Sequence, residues 1–349
     1  MFKYNALLVS AFFSAFSLSV WAQSSNEDGM GMVTGSETGT YIKFGQDMAK
    51  MSEREGLNLL VKTSEGSLSN IERMDSRENA GIGIVQSDVL GFLSRSSNPK
   101  MKRTASRLRL IFPFYNEEVH LYANKDIQSI TDLEGKRVVV GSSGSGNWLT
   151  SKNLLNLMGV TPAEELNLNP VDGAKEILLG NADAMFYVAG KPVKLFKNLE
   201  KVFANKEFTE LADNVHMVPL TDEKMLGEYV AAELTNEDYN WLEGSVTTIA
   251  VKAMLIGFDF STKRNSYYKK RCNEFQKLGN AIRNNIDELR AEGHPKWNQV
   301  NLDEEVGLWE RDTCSALVPE PEPEPKKTVK TEGSELNKIL EQCILTGKC

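Results

Sequence analysis

The chain has few of the residues that carry most metal and nucleophilic chemistry. It contains 3 His in 349 residues, and His120, His216 and His294 each lack a neighbouring acid and nucleophile in a recognised arrangement. We therefore expect packed or surface histidines. There is no H-E-x-x-H motif, and the Gly/Ser-rich residues 141–147 lack the lysine of a P-loop and the spacing of a nucleophile elbow or dinucleotide fingerprint. We expect no catalytic residue, no cofactor and no metal.

Basic residues are also in deficit. Lys and Arg total 40 against 48 Asp and Glu, which gives a net charge of −8. A chain with that balance lacks the positive footprint of a nucleic-acid binder. With 41% hydrophobic residues the composition is that of a globular protein, and the length predicts two domains.

Long apolar runs are absent apart from one at the N-terminus. Residues 6–20 are almost wholly apolar and follow Lys3. The run is shorter than the roughly 20 residues of a spanning helix, and Val20-Trp21-Ala22 fits the small-x-small cleavage pattern. We predict a signal peptide over residues 1–22, cleaved after Ala22, and a soluble, exported mature protein. An uncleaved membrane anchor is the alternative.

The four cysteines all lie in the C-terminal quarter, at Cys272, Cys314, Cys343 and Cys349. An even count in an exported protein indicates disulfides. Three pairings are possible, and the most local joins Cys272 to Cys314 and Cys343 to Cys349. A zinc site is disfavoured because no C-x2-C pair is present.

Short apolar runs alternate with segments of helical periodicity. Strands are predicted over residues 30–34, 57–63, 80–86, 107–115, 118–123, 137–141 and 182–188, and helices over 41–51, from 67, at 129–133 and over 148–158. Fully apolar strands alternating with helices indicate an α/β protein with mostly parallel sheets covered on both faces.

Three loops rich in Gly, Ser and Thr follow predicted strands and precede predicted helices, at residues 35–41, 64–70 and 141–147. In α/β folds, ligands bind at the carboxyl ends of strands. Backbone N–H groups at helix N-termini, with hydroxyl donors beside them, favour a carboxylate or phosphate. The alternative is that these residues serve only as turns and N-caps.

The loops and their surroundings resemble the TAXI family of solute-binding proteins, which serve tripartite ATP-independent periplasmic (TRAP) transporters. The matching segments cover about residues 30–310. They are GSETGTYI at 35–42, TSEGSLSN at 63–70, VQSD at 85–88, FYNEEVHL at 114–121, LEGKRVVVGSSGSG at 133–146, DAMFYVAGKP at 183–192 and VTTIAV at 246–251.

The resemblance implies a two-lobed, type II periplasmic-binding-protein fold that closes about two crossover strands. Lobe one would comprise residues 23–117 and 251–312, and lobe two residues 118–250. Residues 313–349 would form a Pro/Glu linker and a cysteine-containing tail.

The resemblance also implies a small carboxylate ligand, such as a glutamate-like amino acid or a dicarboxylate, held between the lobes. Carried over residue by residue, the implied ligand-binding set is Thr40, Tyr41, Ser64, Glu65, Gly66, Ser67, Asn70, Gln86, Tyr115, Gly144, Ser145, Gly146, Asn147, Gly190 and Lys191. For the two tyrosines and Asn70, the alternatives are core packing and a helix-surface position, respectively.

Three residues depart from the family pattern: Glu65 replaces a glycine, Ile42 a second tyrosine, and Lys191 a small residue. Glu65 would oppose an anionic ligand. Lys191 could pair with Glu65 across the cleft or supply positive charge. The acid pair Glu117-Glu118 is interpreted as a solvated face.

The tail is unusual for the family. Residues 319–325 read PEPEPEP, an extended spacer about 20 Å long. Beyond it, apolar residues from Leu336 to Ile344 share one helical face. The tail is either a plain extension with a disulfide loop or a docking helix for a partner or a second copy.

Together with the sequence features, the resemblance implies a non-enzymatic, periplasmic solute-binding protein that delivers its ligand to a TRAP-type membrane permease. The alternative is a sensing or scaffold protein that uses the same fold to present a ligand to a receptor. An enzyme on this fold is a distant third.

Overall fold

The structure is a computed structural model that describes residues 29–37, 39–76, 80–316 and 342. The predicted signal peptide, the PEPEPEP segment and the predicted Cys343–Cys349 pairing lie outside the described residues.

Strands and helices alternate along the described chain. The strands are β1 (Met30–Val33), β2 (Leu59–Lys62), β3 (Ile82–Gln86), β4 (Leu108–Asn124), β5 (Arg137–Val139), β6 (Glu164–Leu166), β7 (Ala184–Ala189), β8 (Val215–Met217), β9 (Val230–Leu234) and β10 (Val246–Phe258).

The α-helices are α1 (Thr40–Arg54), α2 (Ser67–Asp75), α3 (Val89–Arg95), α4 (Pro99–Ala105), α5 (Gly146–Met158), α6 (Pro170–Leu178), α7 (Lys194–Phe203), α8 (Thr209–Asp213), α9 (Ser266–Asn284) and α10 (Ile286–Glu292). Short 3₁₀ helices span Ile130–Leu133, Met225–Gly227 and Pro295–Gln299.

Within each half of the fold the apolar strands form parallel pairs, but β4 and β10 are antiparallel to all the strands they pair with, so the prediction of mostly parallel sheets is wrong at the centre of the sheet. β1 lies between β2 and β3 and is parallel to both, and β5 is parallel to β6 and β7. Every residue of β1 and β3 is buried, because helices cover both faces of a parallel sheet. The α/β prediction is confirmed.

Two long antiparallel strands join the two halves of the fold. β4 has 17 residues and β10 has 13, and they pair from Phe258 with Leu108 to Ala250 with Glu118. The prediction of two separate strands at 107–115 and 118–123 is wrong: they are one strand. Pairing with β10 carries β4 through Asn116 and Glu117, with register shifts on β10 near Lys252 and Leu255.

The strand order β2-β1-β3-β10-β4-β7-β5-β6 places these two crossovers at the centre of the described sheet. This is the two-lobed type II periplasmic-binding-protein fold. The predicted return crossover at 246–251 extends to Phe258.

Separate hydrophobic clusters lie on either side of the crossovers. One gathers residues such as Phe44, Phe112, Met254 and Trp297; we call the elements packed into it lobe one. Two more, which include Phe186 and Met185 respectively, cover opposite faces of the β4–β7–β5 region; their elements are lobe two. The residue boundaries of the lobes stay predictions.

A disulfide joins Cys272 on α9 to Cys314, so this predicted pairing is confirmed. Within the described residues, no helix is both long and apolar enough to cross a membrane.

Candidate functional site

The Gly/Ser loops of the two lobes meet face to face. Gly66, which precedes α2, has a φ of +114°, and a Cβ built there would lie 3.3 Å from the backbone nitrogen of Gly146 at the start of α5. Only glycine adopts that backbone conformation at low cost. The 64–67 and 144–147 loops are therefore in contact in this structure.

Within the lobe-one loop, the polar side chains predicted to bind ligand hydrogen-bond one another and the backbone. Ser64 Oγ donates to Asn70 Oδ1 at 2.5 Å and accepts from Gly66 N–H. Asn70 is fully buried and donates to the carbonyls of Thr34 and Ile84, both at 2.6 Å. The helix-surface alternative for Asn70 is wrong, because its amide joins Thr34, directly after β1, to Ile84 in the middle of β3.

Ser67 and the lobe-two loop follow the same pattern. Ser67 Oγ accepts from the backbone N–H of Gln86. Ser145 caps α5 by accepting from Trp148 N–H. Asn147 bonds with the backbone of Phe186 and Val188 on β7. These side chains hold the loops against their strands; whether their backbone N–H groups also contact ligand stays a prediction.

A buried carboxylate, Glu117, occupies the middle of the crossover. Its Oε2 accepts hydrogen bonds from Tyr41 Oη at 3.0 Å and from Gln86 Nε2 at 2.8 Å, and its Oε1 lies 3.5 Å from Tyr115 Oη. Desolvation raises the pKa of Glu117 to about 7. Thr40, which stands next to Tyr41, acts to lower the pKa of Tyr115, although burial dominates and raises it.

The interpretation of Glu117-Glu118 as a solvated face is wrong. Glu117 and Glu118 are 6% and 5% exposed, because β10 and β7 pair with β4 on either side. Glu118 Oε2 accepts from the backbone N–H of Lys191 at 2.7 Å, and burial raises its pKa. The sequence signal that could have indicated burial is the position of Glu117 and Glu118 between apolar residues on a crossover strand.

Lys296, from the 3₁₀ helix Pro295–Gln299, supplies a buried cation that sequence reasoning missed. It is 9% exposed, and its ammonium stands 5.7 Å from the centre of the Tyr115 ring. Glu118 and Glu117 both act to raise its pKa, although desolvation dominates and lowers it.

Gly190, at the end of β7, is the lobe-two wall beside that cation. A Cβ there would lie 2.9 Å from Lys296 Cε and 3.3 Å from Tyr115 Cε2. A larger residue there would require the end of the Lys296 side chain to shift. The predicted residues Tyr41, Gln86, Tyr115 and Gly190 are therefore brought together around Glu117 and Lys296.

Lys191 does not pair with Glu65. Its ammonium binds Asp238 Oδ2 at 2.8 Å and the carbonyl of Glu233 at 2.6 Å, so its charge is neutralised within lobe two. Glu65 is exposed.

A second buried carboxylate, that of Asp88, accepts hydrogen bonds from the opposite lobe. Asp88 follows β3 in lobe one, and its Oδ2 accepts from Thr150 at 2.9 Å, Tyr229 at 3.2 Å and Asn153 at 3.3 Å, all in lobe two. Its Oδ1 is buried without a hydrogen-bond partner among the described residues. Desolvation raises the pKa of Asp88 to about 6.

The histidines are packed or capping residues where the structure describes them. His120 is fully buried between the Tyr187 carbonyl at 3.0 Å and the Tyr239 hydroxyl at 2.8 Å, and burial lowers its pKa to about 4. No cluster of His, Cys, Asp or Glu suited to a metal ion occurs in the described part of the chain.

Residues 32–264, about two thirds of the chain, match the NMT1-like family. The chain belongs to the NMT1-like family. The finer resemblance to TAXI proteins of TRAP transporters stays a prediction.

Solved structures with low similarity to this NMT1-like protein include three binding-protein folds. The periplasmic sulfonate-binding protein SsuA from Methylobacillus flagellatus is 15% identical, with a TM-score of 0.42, over 75% of this chain and 69% of its own. The Candida albicans CA3427 gene product is 11% identical, with a TM-score of 0.44, over 80% of this chain and 83% of its own. The arginine-, lysine-, histidine-binding protein ArtJ from Geobacillus stearothermophilus is 14% identical, with a TM-score of 0.40, over 75% of this chain and 91% of its own. At these TM-scores the likenesses carry no information on the ligand of this chain.

Proposed function

We propose that this NMT1-like protein is an extracytoplasmic solute-binding protein of the TAXI type, which captures a small amino acid between its lobes and delivers it to a TRAP-type permease. The observation that carries the proposal is the buried Glu117 carboxylate. Tyr41 and Gln86 hold it from lobe one, and it lies where β4 passes from one lobe to the other.

Glu117 favours an amino acid over a dicarboxylate. Among the described residues its Oε1 has only the long 3.5 Å contact with Tyr115, which leaves acceptor capacity for a ligand ammonium. Glu118 adds negative charge beside it. A second ligand carboxylate at this point would be repelled, whereas an ammonium would stabilise the ionised form of Glu117.

The ligand carboxylate would be received by positive groups near the same point. Lys296 is buried close to Glu117 and Glu118. At the N-terminus of α5, the backbone N–H groups of Gly144, Gly146 and Asn147 offer donors with the positive end of a helix dipole, whereas that of Ser145 is used by the Ser142 carbonyl. Both groups act locally. This suits a chain whose net charge of −8 repels anions at long range.

The test is a thermal-shift screen of the full chain against α-amino acids, matched dicarboxylates and matched amines, with native mass spectrometry to identify any co-purified compound. The proposal is supported if an amino acid stabilises the protein and neither the analogue without its amino group nor the analogue without its carboxylate does so. A response to dicarboxylates alone, or to neutral solutes alone, contradicts the amino acid assignment.

Delivery to a permease is tested separately. A TRAP-type permease, reconstituted in vesicles, is expected to take up the identified ligand only when the protein is present outside. Full uptake without the protein would contradict the transport role and leave the ligand assignment standing.

A further inference from the structure

A cavity on lobe one, remote from Glu117, combines aromatic rings with three cations. Its volume is about 450 Å³. Phe258, Phe260, Tyr267 and Tyr268 supply rings to it, and Arg107, Lys263 and Arg271 supply the cations. We call it the basic aromatic cavity. Asp75 also lines it, so the lining keeps a net positive charge on a protein whose net charge is negative.

The rings and cations of the basic aromatic cavity are stacked on one another. Arg107 lies 4.4 Å from the centre of the Phe258 ring, Lys263 5.2 Å from that of Tyr268 and Arg271 5.6 Å from that of Tyr267. The Tyr267 side chain is exposed, at 46%. A ligand here would meet ring faces and positive charge together.

The cations are only partly neutralised. Arg107 is 3.6 Å from Asp75, which also binds Lys100, and Arg271 pairs with Glu274. Lys263 makes no ion pair with any carboxylate in the described ranges, and Arg271 Nε is a buried donor without a partner among those residues. The cavity therefore retains capacity for anionic groups.

We propose that residues 319–325 of this same chain, PEPEPEP, dock in the basic aromatic cavity. Proline rings pack well on aromatic side chains, and a pre-extended proline-rich segment loses little entropy on binding. The three glutamates, Glu320, Glu322 and Glu324, are opposite in charge to the three cations and equal them in number.

The disulfide brings the segment within reach of the cavity. Cys272 directly follows Arg271 of the cavity, and the Cα atom of Cys314 lies 5.0 Å from the Cα atom of Cys272. Tyr267 is five residues before Cys272, or about 7.5 Å along α9. Pro319 is five residues after Cys314, and five residues span up to about 17 Å. The chain can therefore pass from the disulfide to the cavity without strain.

Zero-length carbodiimide cross-linking of the full chain tests this docking, because it joins a carboxylate to a lysine only when the two are in contact. We expect peptides in which Lys263 is joined to Glu320, Glu322 or Glu324, and we expect them to disappear in high salt and in the E320Q/E322Q/E324Q variant. Lys269 is the matched control, since it is exposed and lies on the opposite side of α9.

A mixture of ¹⁵N-labelled and unlabelled protein distinguishes docking within one chain from docking between copies. Products within one isotope class support the proposal. Mixed-isotope products as the main species, or cross-linking of Lys269 as strong as that of Lys263, would overturn it. Hydrogen exchange over residues 266–272 is an independent readout: exchange should be faster in the E320Q/E322Q/E324Q variant, and unchanged protection would count against docking.

Discussion

Thr150 Oγ1 on α5 of lobe two donates a hydrogen bond to Asp88 Oδ2 of lobe one over 2.9 Å. Tyr229 and Asn153 donate to the same oxygen. A further pair, Arg95 with Glu228, joins the lobes nearby at 2.8 Å. A lobe-one carboxylate is thus held by three lobe-two donors, and moving the lobes apart would break these hydrogen bonds.

Replacing Asp88 by Ala should therefore shift the protein toward the open form. Three donors of lobe two lose a buried acceptor. Each lost hydrogen bond reduces the stability of the closed form by about 1 kcal/mol. We expect ligand affinity to fall about tenfold or more, because the closed, binding-competent fraction falls. Small-angle scattering of the ligand-free protein should show a larger radius of gyration.

Asp126→Ala is the control for that variant, since Asp126 is exposed. It should leave both affinity and radius of gyration unchanged. Wild-type dimensions and affinity in Asp88→Ala would show that the Asp88 contacts do not hold the lobes together.

Glu117 should make stability depend on pH. Its pKa rises from 4.5 to about 7 on folding, so between those pH values the folded protein binds a proton that the unfolded chain has released. Stability is then highest below about pH 4.5 as far as this group is concerned, and it falls as pH rises to about 7, by up to about 3 kcal/mol. Glu117→Gln should flatten this part of the curve in urea unfolding at several pH values.

Glu53→Gln is the matched control, because Glu53 is an exposed carboxyl on α1; its curve should follow the wild type. An equal slope in wild type and Glu117→Gln would mean that Glu117 ionises normally.

The Cys272–Cys314 bridge should contribute substantially to stability. It closes a sequence separation of 42 residues, which corresponds to about 4 kcal/mol on the chain-entropy model. The double variant Cys272→Ser/Cys314→Ser should unfold at a correspondingly lower urea concentration. An unchanged midpoint would show that strain or residual structure in the unfolded chain offsets the gain.

The lobed architecture was predictable because its signals are local. Apolar strands such as Ile82–Gln86 and Gly/Ser loops before α1, α2 and α5 are readable without tertiary information. The environment of an acid is not: Glu117 and Asp88 are buried by β10, α5 and Tyr229, which are distant in sequence. Solvated acids predominate in proteins, and so the Glu117-Glu118 interpretation failed.

The same limit applies to the predicted ligand groups. Serine and asparagine in a glycine-rich loop can serve a ligand or the loop itself, and Asn70 is engaged by the Thr34 and Ile84 carbonyls. Lys191 was predicted from a departure in a motif, whereas its partner Asp238 lies 47 positions later. Lys296 belongs to no motif, and only the fold brings it to Tyr115.

The most direct measurement is titration calorimetry of the full chain with the identified amino acid between pH 8 and pH 5. An ammonium needs ionised Glu117, whose pKa in the free protein is raised to about 7. Affinity should therefore fall by up to tenfold for each pH unit below about 7, with proton release on binding. Glu117→Gln should bind the amino acid more weakly, and its affinity should no longer depend on pH in this range. Because Asp88, Glu118 and Lys296 are unchanged in this variant, the loss would identify Glu117 as the group responsible. An affinity that stays constant or rises as the pH falls would contradict the account.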